Sequence, residues 1–248
     1  MKKIYRYIRF AFQVTILLID IIAESLFLIF TFTFFKNKYN FARHYHRWAK
    51  RALAIAGIKL TIIGAENINP NETYVFASNH SSHFDIPIIY SAIQSKVAII
   101  YKKELEKIPI FGWKLNKSFF VAIDRTDGRK AMASVIEALN LIKQNVSIII
   151  YPEGTRSKDG KAQEFKRGAF VLAAKSGKDV VPVTIVGSNE IMPKDSLFFE
   201  PREVQIVFHK PIGFPAKMSK SDELAQVETI RQIIISGFDK AKKHLAIS

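Results

Sequence analysis

At Ile58 the hydrophobic pattern of this chain changes period, and that change constrains the fold more than any other feature. Downstream, short apolar runs rich in Val, Ile and Phe alternate with longer stretches of helical period. The runs Lys59–Ile63, Tyr74–Ser78, Val97–Tyr101, Phe119–Ile123, Val146–Tyr151, Val180–Val186 and Val204–Phe208 are bounded by Gly, Pro, Asn or Lys, which predicts strands. Arg129–Gln144, Arg167–Ser176 and Asp222–His244 predict helices. Such alternation implies a single α/β domain over residues 58–248, with a mixed, partly parallel sheet flanked by helices. Gly64–Asn71 and the Pro-punctuated stretch Met192–Pro201 read as linkers.

Upstream of Ile58 the chain is of another kind. Phe10 to Phe35 is long enough to cross a bilayer at about 20 residues per span, yet it contains Gln13, Asp20 and Glu24. Together with Arg6, Arg9 and Thr31, these polar positions recur at steps that place them on one stripe of a helix. A second helix from Asn40 to about Ala56 would carry Arg43, Arg47 and Lys50 on one face. Residues 1–57 therefore read as a two-helix membrane-association unit that lies on or dips into one leaflet. A spanning helix with its stripe against a partner, a cleaved signal peptide and a soluble helical hairpin are the competing readings.

Charge narrows the partners. The chain carries a formal net charge of +15, and residues 1–51 supply ten basic against two acidic side chains. That points to an anionic partner: nucleic acid, a membrane surface or a phosphorylated substrate. Cations concentrated beside the most apolar stretch fit a membrane surface better than DNA. No nucleic-acid module is recognisable, and the basic residues lack the aromatic interleaving of single-strand platforms. Zero cysteines exclude disulfides, thiolate zinc sites and a cysteinyl acyl intermediate.

Three constellations carry potential chemistry. After the second predicted strand comes Asn79-His80-Ser81-Ser82-His83-Phe84-Asp85. His80 and Asp85 cannot meet on one continuous helix, because five residues turn them about 140° apart. They can meet if Asp85 begins a helix and His80 ends the loop before it; Pro87 in the first turn supports that start. The pair would then be a general base with its orienting carboxylate. Equally, Asp85 could be a plain helix cap, and His83 is a second candidate histidine.

The loop Tyr151-Pro152-Glu153-Gly154-Thr155-Arg156 follows another strand and brings a carboxylate, a glycine, a hydroxyl and a guanidinium together, where α/β sheets bind ligands. Gly160-Lys161 invites a phosphate-loop reading, but the spacing is one residue too long and Ala162 replaces the required hydroxyl. A third set, Lys102-Lys103 and Asp124-Arg125, adds cations at two further strand ends. Lys102, Arg125 and Arg156 could form one pocket for a phosphate dianion, or simply be solvated. There is no Gly-x-Ser-x-Gly elbow, no metal-ligand cluster and no dinucleotide fingerprint. What remains is a histidine base without a protein nucleophile, which implies direct attack by a substrate hydroxyl on an activated acyl group.

These residues resemble the glycerolipid acyltransferases, and within them the lysophosphatidate branch. Asn79, His80 and Asp85 match the first motif; Lys102-Lys103-Glu104-Leu105 through Ile123-Asp124-Arg125 resemble the second; Pro152 to Arg156 match the third, followed by Phe165, Lys166 and Gly168; Val181-Pro182-Val183 match the fourth. The resemblance implies transfer of an acyl group from an acyl-carrier protein or coenzyme A thioester to the sn-2 hydroxyl of lysophosphatidic acid. In it His80 is the base and Asp85 its orienter, while Lys102, Arg125, Glu153, Gly154, Thr155 and Arg156 bind or order the acceptor head. It further implies no cofactor, no metal and no nucleic acid. Membrane lipids with anionic headgroups are the partner, and the expected location is monotopic, at the cytoplasmic face of the bacterial inner membrane.

Overall fold

The computed structural model describes residues 2–34, 41–124 and 128–247. Helix α1 (Lys2–Phe34) and helix α2 (Phe41–Ala56) precede a seven-stranded sheet. The strands are β1 (Lys59–Ile63), β2 (Val75–Ser78), β3 (Val97–Lys102), β4 (Val121–Ile123), β5 (Ser147–Ile150), β6 (Val180–Val186) and β7 (Glu203–Phe208), in the spatial order β1-β7-β6-β2-β5-β3-β4. Neighbours are parallel except β6 and β7. Helices α3 (Asp85–Ala92), α4 (Phe111–Lys117), α5 (Gly128–Lys143), α6 (Val171–Ser176), α7 (Ser188–Ile191) and α8 (Lys220–Ile247) complete the chain. This is the expected mixed α/β architecture.

Composition explains the order of the sheet. β2, β5 and β6 are buried along their whole length, as apolar runs in the centre of a parallel sheet must be. Pro182 has no N–H, and its carbonyl accepts the His209 N–H at 3.0 Å, so the antiparallel ladder with β7 closes at this point. Two strands begin one residue later than expected: the Tyr74 N–H donates to the Ser147 side chain (3.1 Å) and the Val146 N–H to the Leu141 carbonyl (3.0 Å), so neither N–H enters a ladder. The expected helix Arg167–Ser176 opens as a 3-10 turn over Arg167–Phe170, where Gly168 weakens the first α turn. The stretch Gly64–Asn71 contains a short 3-10 turn, and α4 and α7 are too short to show a period in the sequence.

The polar stripe of α1 faces the protein. Arg6 pairs with Glu200, the Gln13 amide donates to the Ile55 carbonyl (2.8 Å), and Arg51 of α2 reaches both Asp20 (2.9 Å) and Glu24 (3.0 Å). Leu28 and Phe32 enter the main core together with Tyr45, Ala49 and Leu53 of α2. On the other face Ile4, Ile8, Phe12, Leu18, Ile22 and Phe30 are exposed. Among the described residues α1 is the one helix long and apolar enough to cross a membrane, by length and composition.

Candidate active site

Because β2, β5, β3 and β4 are parallel neighbours, the loops that follow them open on one edge of the sheet. β2 delivers Asn79 and His80 there. The Asn79 side chain is pinned to β6, donating to the Ile185 carbonyl and accepting the Ile185 N–H, both at 2.8 Å. His80 is thereby held at the strand end while the chain turns into α3.

Asp85 is the first residue of α3 and fully buried. Its Oδ2 accepts three hydrogen bonds: His80 Nδ1–H at 2.7 Å, Ser81 N–H at 2.8 Å and Ser82 N–H at 2.9 Å. Those two backbone donors lie in the loop that leads into α3, which curls back so that its N–H groups meet the first residue of the helix. With Nδ1 donating, Nε2 is left as the acceptor. The Tyr151 ring stacks on the imidazole at 4.0 Å between centroids and fixes its plane. Ser81 Oγ bonds to Ser188 Oγ (2.9 Å) and Ser82 Oγ donates to the Met192 carbonyl (3.0 Å), tying the dyad loop to the segment after β6.

The loop after β5 wraps the dyad from the other side. Glu153 is buried, accepting the His80 N–H at 2.9 Å on one oxygen and the Gln163 N–H at 3.3 Å on the other. The Ser157 N–H donates to the His80 carbonyl at 2.7 Å. Burial lifts the Glu153 carboxyl from its usual 4.5 to about 7, against the pull of those two N–H groups. The folded carboxyl holds its proton more tightly than the unfolded one, so this residue's contribution to stability falls as pH rises from about 4.5 to about 7. Thermal unfolding across that window should show wild type losing on the order of 3 kcal/mol relative to Glu153→Gln. Parallel pH profiles for the two proteins would contradict this.

Gly154 sits at φ +72°, and a Cβ there would stand 3.3 Å from Lys166 Nζ, so the turn that aims the loop requires glycine. Its N–H is engaged by the Tyr151 carbonyl at 3.0 Å. Arg156 has a buried Nη1 with no partner, and its charge, second to burial, holds the His83 imidazole below its usual 6.5. Thr155 is exposed and accepts from Lys194 Nζ at 3.3 Å.

His80, Asp85, Glu153, Gly154, Thr155 and Arg156 thus share one locale. Lys102 ends β3, two strands from β2 on the same edge, with its ammonium 3.2 Å from Glu104. Arg125 lies outside the described residues. Three features went unread in the sequence: Tyr151 as the ring that clamps the base, Lys166 as a cation over Gly154, and Lys194, from the stretch expected to be a linker. Lys166 lies within the Phe165-Lys166-x-Gly168 block and Tyr151 opens the Tyr151–Arg156 loop, but neither was assigned a role there.

Beside the dyad lies an apolar cavity of about 370 Å³. Leu17 and Ile21 of α1, Trp48 of α2, Phe111 of α4 and the dyad loop's His83 and Phe84 are among its walls. The chain enters α4 through Ile110 at φ +64°, a strained conformation for a β-branched residue.

The family model described as Acyltransferase matches residues 59–186. A chloroplastic 1-acyl-sn-glycerol-3-phosphate acyltransferase of Brassica napus is 36% identical over 178 residues, covering 69% of this chain and 52% of the relative. The 1-acyl-sn-glycerol-3-phosphate acyltransferase of Helicobacter pylori is 33% identical over 173 residues, 69% of this chain and 71% of the relative. This chain spans about half the length of the plant and algal relatives it matches. The crystal structure of the 1-acyl-sn-glycerophosphate (LPA) acyltransferase PlsC from Thermotoga maritima superposes with a TM-score of 0.83 at 28% identity, over 98% of both chains. Matched by that family model over more than half its length, and sharing a fold from end to end with a solved acyltransferase, the chain belongs to the Acyltransferase family.

Proposed function

We propose that the chain is a 1-acylglycerol-3-phosphate acyltransferase that forms phosphatidic acid from lysophosphatidic acid and an acyl thioester of acyl-carrier protein or coenzyme A. The observation that carries this reading is the oriented His80–Asp85 dyad, set between the Arg156 loop and an apolar cavity. His80 Nε2 takes the proton of the sn-2 hydroxyl as its oxygen bonds to the thioester carbon. The C–S bond then breaks, and the leaving thiolate takes the proton back from the imidazolium. Asp85 holds the tautomer and stabilises the transient cation. Of the two backbone donors near the loop glycine, Gly154 N–H is already engaged, so Thr155 N–H is our assignment for the oxyanion.

Arg156 meets the acceptor phosphate, with Lys166 and Lys194 beside it and Glu153 ordering the loop. Lys102 and Arg125 are assigned to the rim. One experiment tests the whole reading: initial rates for purified enzyme with each acceptor (lysophosphatidic acid, glycerol-3-phosphate, other lysophospholipids) against each donor. Lysophosphatidic acid should dominate; equal use of glycerol-3-phosphate would transfer the assignment to that acceptor. Arg156→Ala should raise the KM for lysophosphatidic acid roughly 10–100-fold with a smaller change in kcat, the worth of a charge-assisted hydrogen bond. An unchanged acceptor titration would remove the phosphate role.

Residues 1–57 are assigned to monotopic anchoring at the cytoplasmic face of the bacterial inner membrane. The outward apolar face of α1 and the basic residues flanking it support this.

A further inference from the structure

The apolar outer surface of α1 does not end at that helix. Helix α4 packs against α1, and Leu17 and Ile21 of one share the cavity wall with Phe111 and Leu115 of the other. On the outside of the same pair, Leu18 and Ile22 of α1 are exposed, Trp113 of α4 is 57% exposed, and Ile108 in the turn before it is 45% exposed. Nearer the start of α1, Phe198 packs on Phe10 at 4.4 Å and on Tyr7 at 6.0 Å between centroids. The residue before it, Leu197, is 85% exposed.

Both places are held by their own backbone. The segment Lys103–Lys117 doubles back on itself: a Cβ on Gly112 would collide with the Glu106 carbonyl, and the Gly112 N–H donates to the Ile108 carbonyl at 2.7 Å. Ile108 and Trp113 are thus carried on one closed turn. Ser196 Oγ donates to the Phe198 carbonyl (3.1 Å) and accepts the Phe198 N–H (2.9 Å), which fixes Leu197 between them.

Single exposed apolar residues are ordinary on a protein surface, and a protein partner would need them gathered in one patch. These are divided between two places separated by about ten residues, and so about 15 Å, along α1. What they share is contact with α1 and the company of cations. Lys103, Lys107 and Lys117 are exposed beside the first place and outnumber Glu104 and Glu106 there; Arg6 lies over the Phe198 ring, 5.5 Å from its centroid, at the second. A surface that is apolar beneath, anionic at its rim and broad enough to reach both places is a lipid leaflet with anionic headgroups.

We propose that the leaflet holding α1 is also met by the α/β domain, through Ile108 and Trp113 at one point and Leu197 at another. The inference rests on the assignment of residues 1–57 to monotopic anchoring. A helix lying in an interface can still roll about its own axis. Contacts carried by other elements at its flanks lie off that axis and stop the roll, so the sheet edge that bears His80 keeps one angle to the lipid.

The chain suits its own test. It has two tryptophans, Trp48 and Trp113, and no cysteine. Trp48→Phe therefore leaves Trp113 as the sole indole, and Leu197→Cys accepts a single polarity-sensitive fluorophore. Each protein is titrated with vesicles of phosphatidylcholine and phosphatidylglycerol in equal parts, with and without bromine on the acyl chains. Trp113 emission should move to shorter wavelength and be quenched by the brominated chains, and the label on Leu197→Cys should report the same transfer. Should Trp48→Phe not fold, the fluorophore on Trp113→Cys takes its place. Trp113→Ser and Leu197→Ser should each weaken co-sedimentation with the vesicles about tenfold, with thermal unfolding little changed because both side chains are mainly exposed. Vesicle-bound protein whose probes at both places stay in water overturns the proposal and leaves anchoring by α1 intact. Burial of Trp113 that follows protein concentration in the absence of lipid would mean that a second copy covers it, and overturns the proposal as well. Wild type that does not bind the vesicles at all overturns the anchoring assignment itself.

Discussion

Replacing His80 by Ala should lower turnover by roughly 10²–10⁴-fold, the usual contribution of a positioned general base. The loss belongs in kcat, because the ring touches the reacting hydroxyl and not the acceptor phosphate. Structural damage should be small. The backbone bonds that lock this position, His80 N–H to Glu153 and Ser157 N–H to the His80 carbonyl, do not involve the side chain. The check is kcat and acceptor KM in mixed micelles, with circular dichroism and thermal unfolding as the control for folding. A folded variant with near-normal kcat would remove His80 from the chemistry.

For Asp85→Asn the structure refines the expectation. In a Ser-His-Asp triad the same change costs about 10⁴ because the imidazole adopts the wrong tautomer. Here one oxygen, Oδ2, accepts all three hydrogen bonds, while Oδ1 is buried without a partner. An asparagine can place its carbonyl where Oδ2 stands, keep all three bonds and so keep the tautomer, with its amide in the Oδ1 position. What disappears is the negative charge beside the imidazolium. The expected loss in kcat is about 10²–10³-fold, the difference between charged and neutral hydrogen-bond partners in a buried site plus the missing Coulomb attraction. The double variant His80→Ala/Asp85→Asn should be no worse than His80→Ala alone, since the carboxylate acts only through the ring. Additive losses in that cycle would mean that Asp85 contributes through something other than His80.

The fold was legible because most strands are short runs rich in Val and Ile and the long helices have a helical period. β1 and β6 match the sequence reading residue for residue. The dyad was legible for a local reason: Pro87 marked a helix start, and a helix start at Asp85 is what allows contact across five residues. Features that depend on distant segments were not visible. Lys194 reaches Thr155 from the segment after β6, which Ser81 and Ser82 bind across more than a hundred residues. Tyr151 reads as the last residue of an apolar run, and only the β2–β5 pairing lays it against His80. The direction of the α1 stripe was also open. Period alone shows that one face is polar, whereas the partners Ile55, Arg51 and Glu200 decide that this face turns inward.

That inward stripe has a mechanical consequence. Arg6, Gln13, Asp20 and Glu24 attach α1 to the body at intervals along a helix about 50 Å long. A rod fastened at several points cannot tilt or slide independently of what it is fastened to. The same helix lends Leu17 and Ile21 to the wall of the cavity that reaches the dyad loop. Whatever depth α1 takes at a lipid interface, His80 takes a set height above it, so the side chains on the outer face of one helix act as the gauge of how far an acceptor must rise to react.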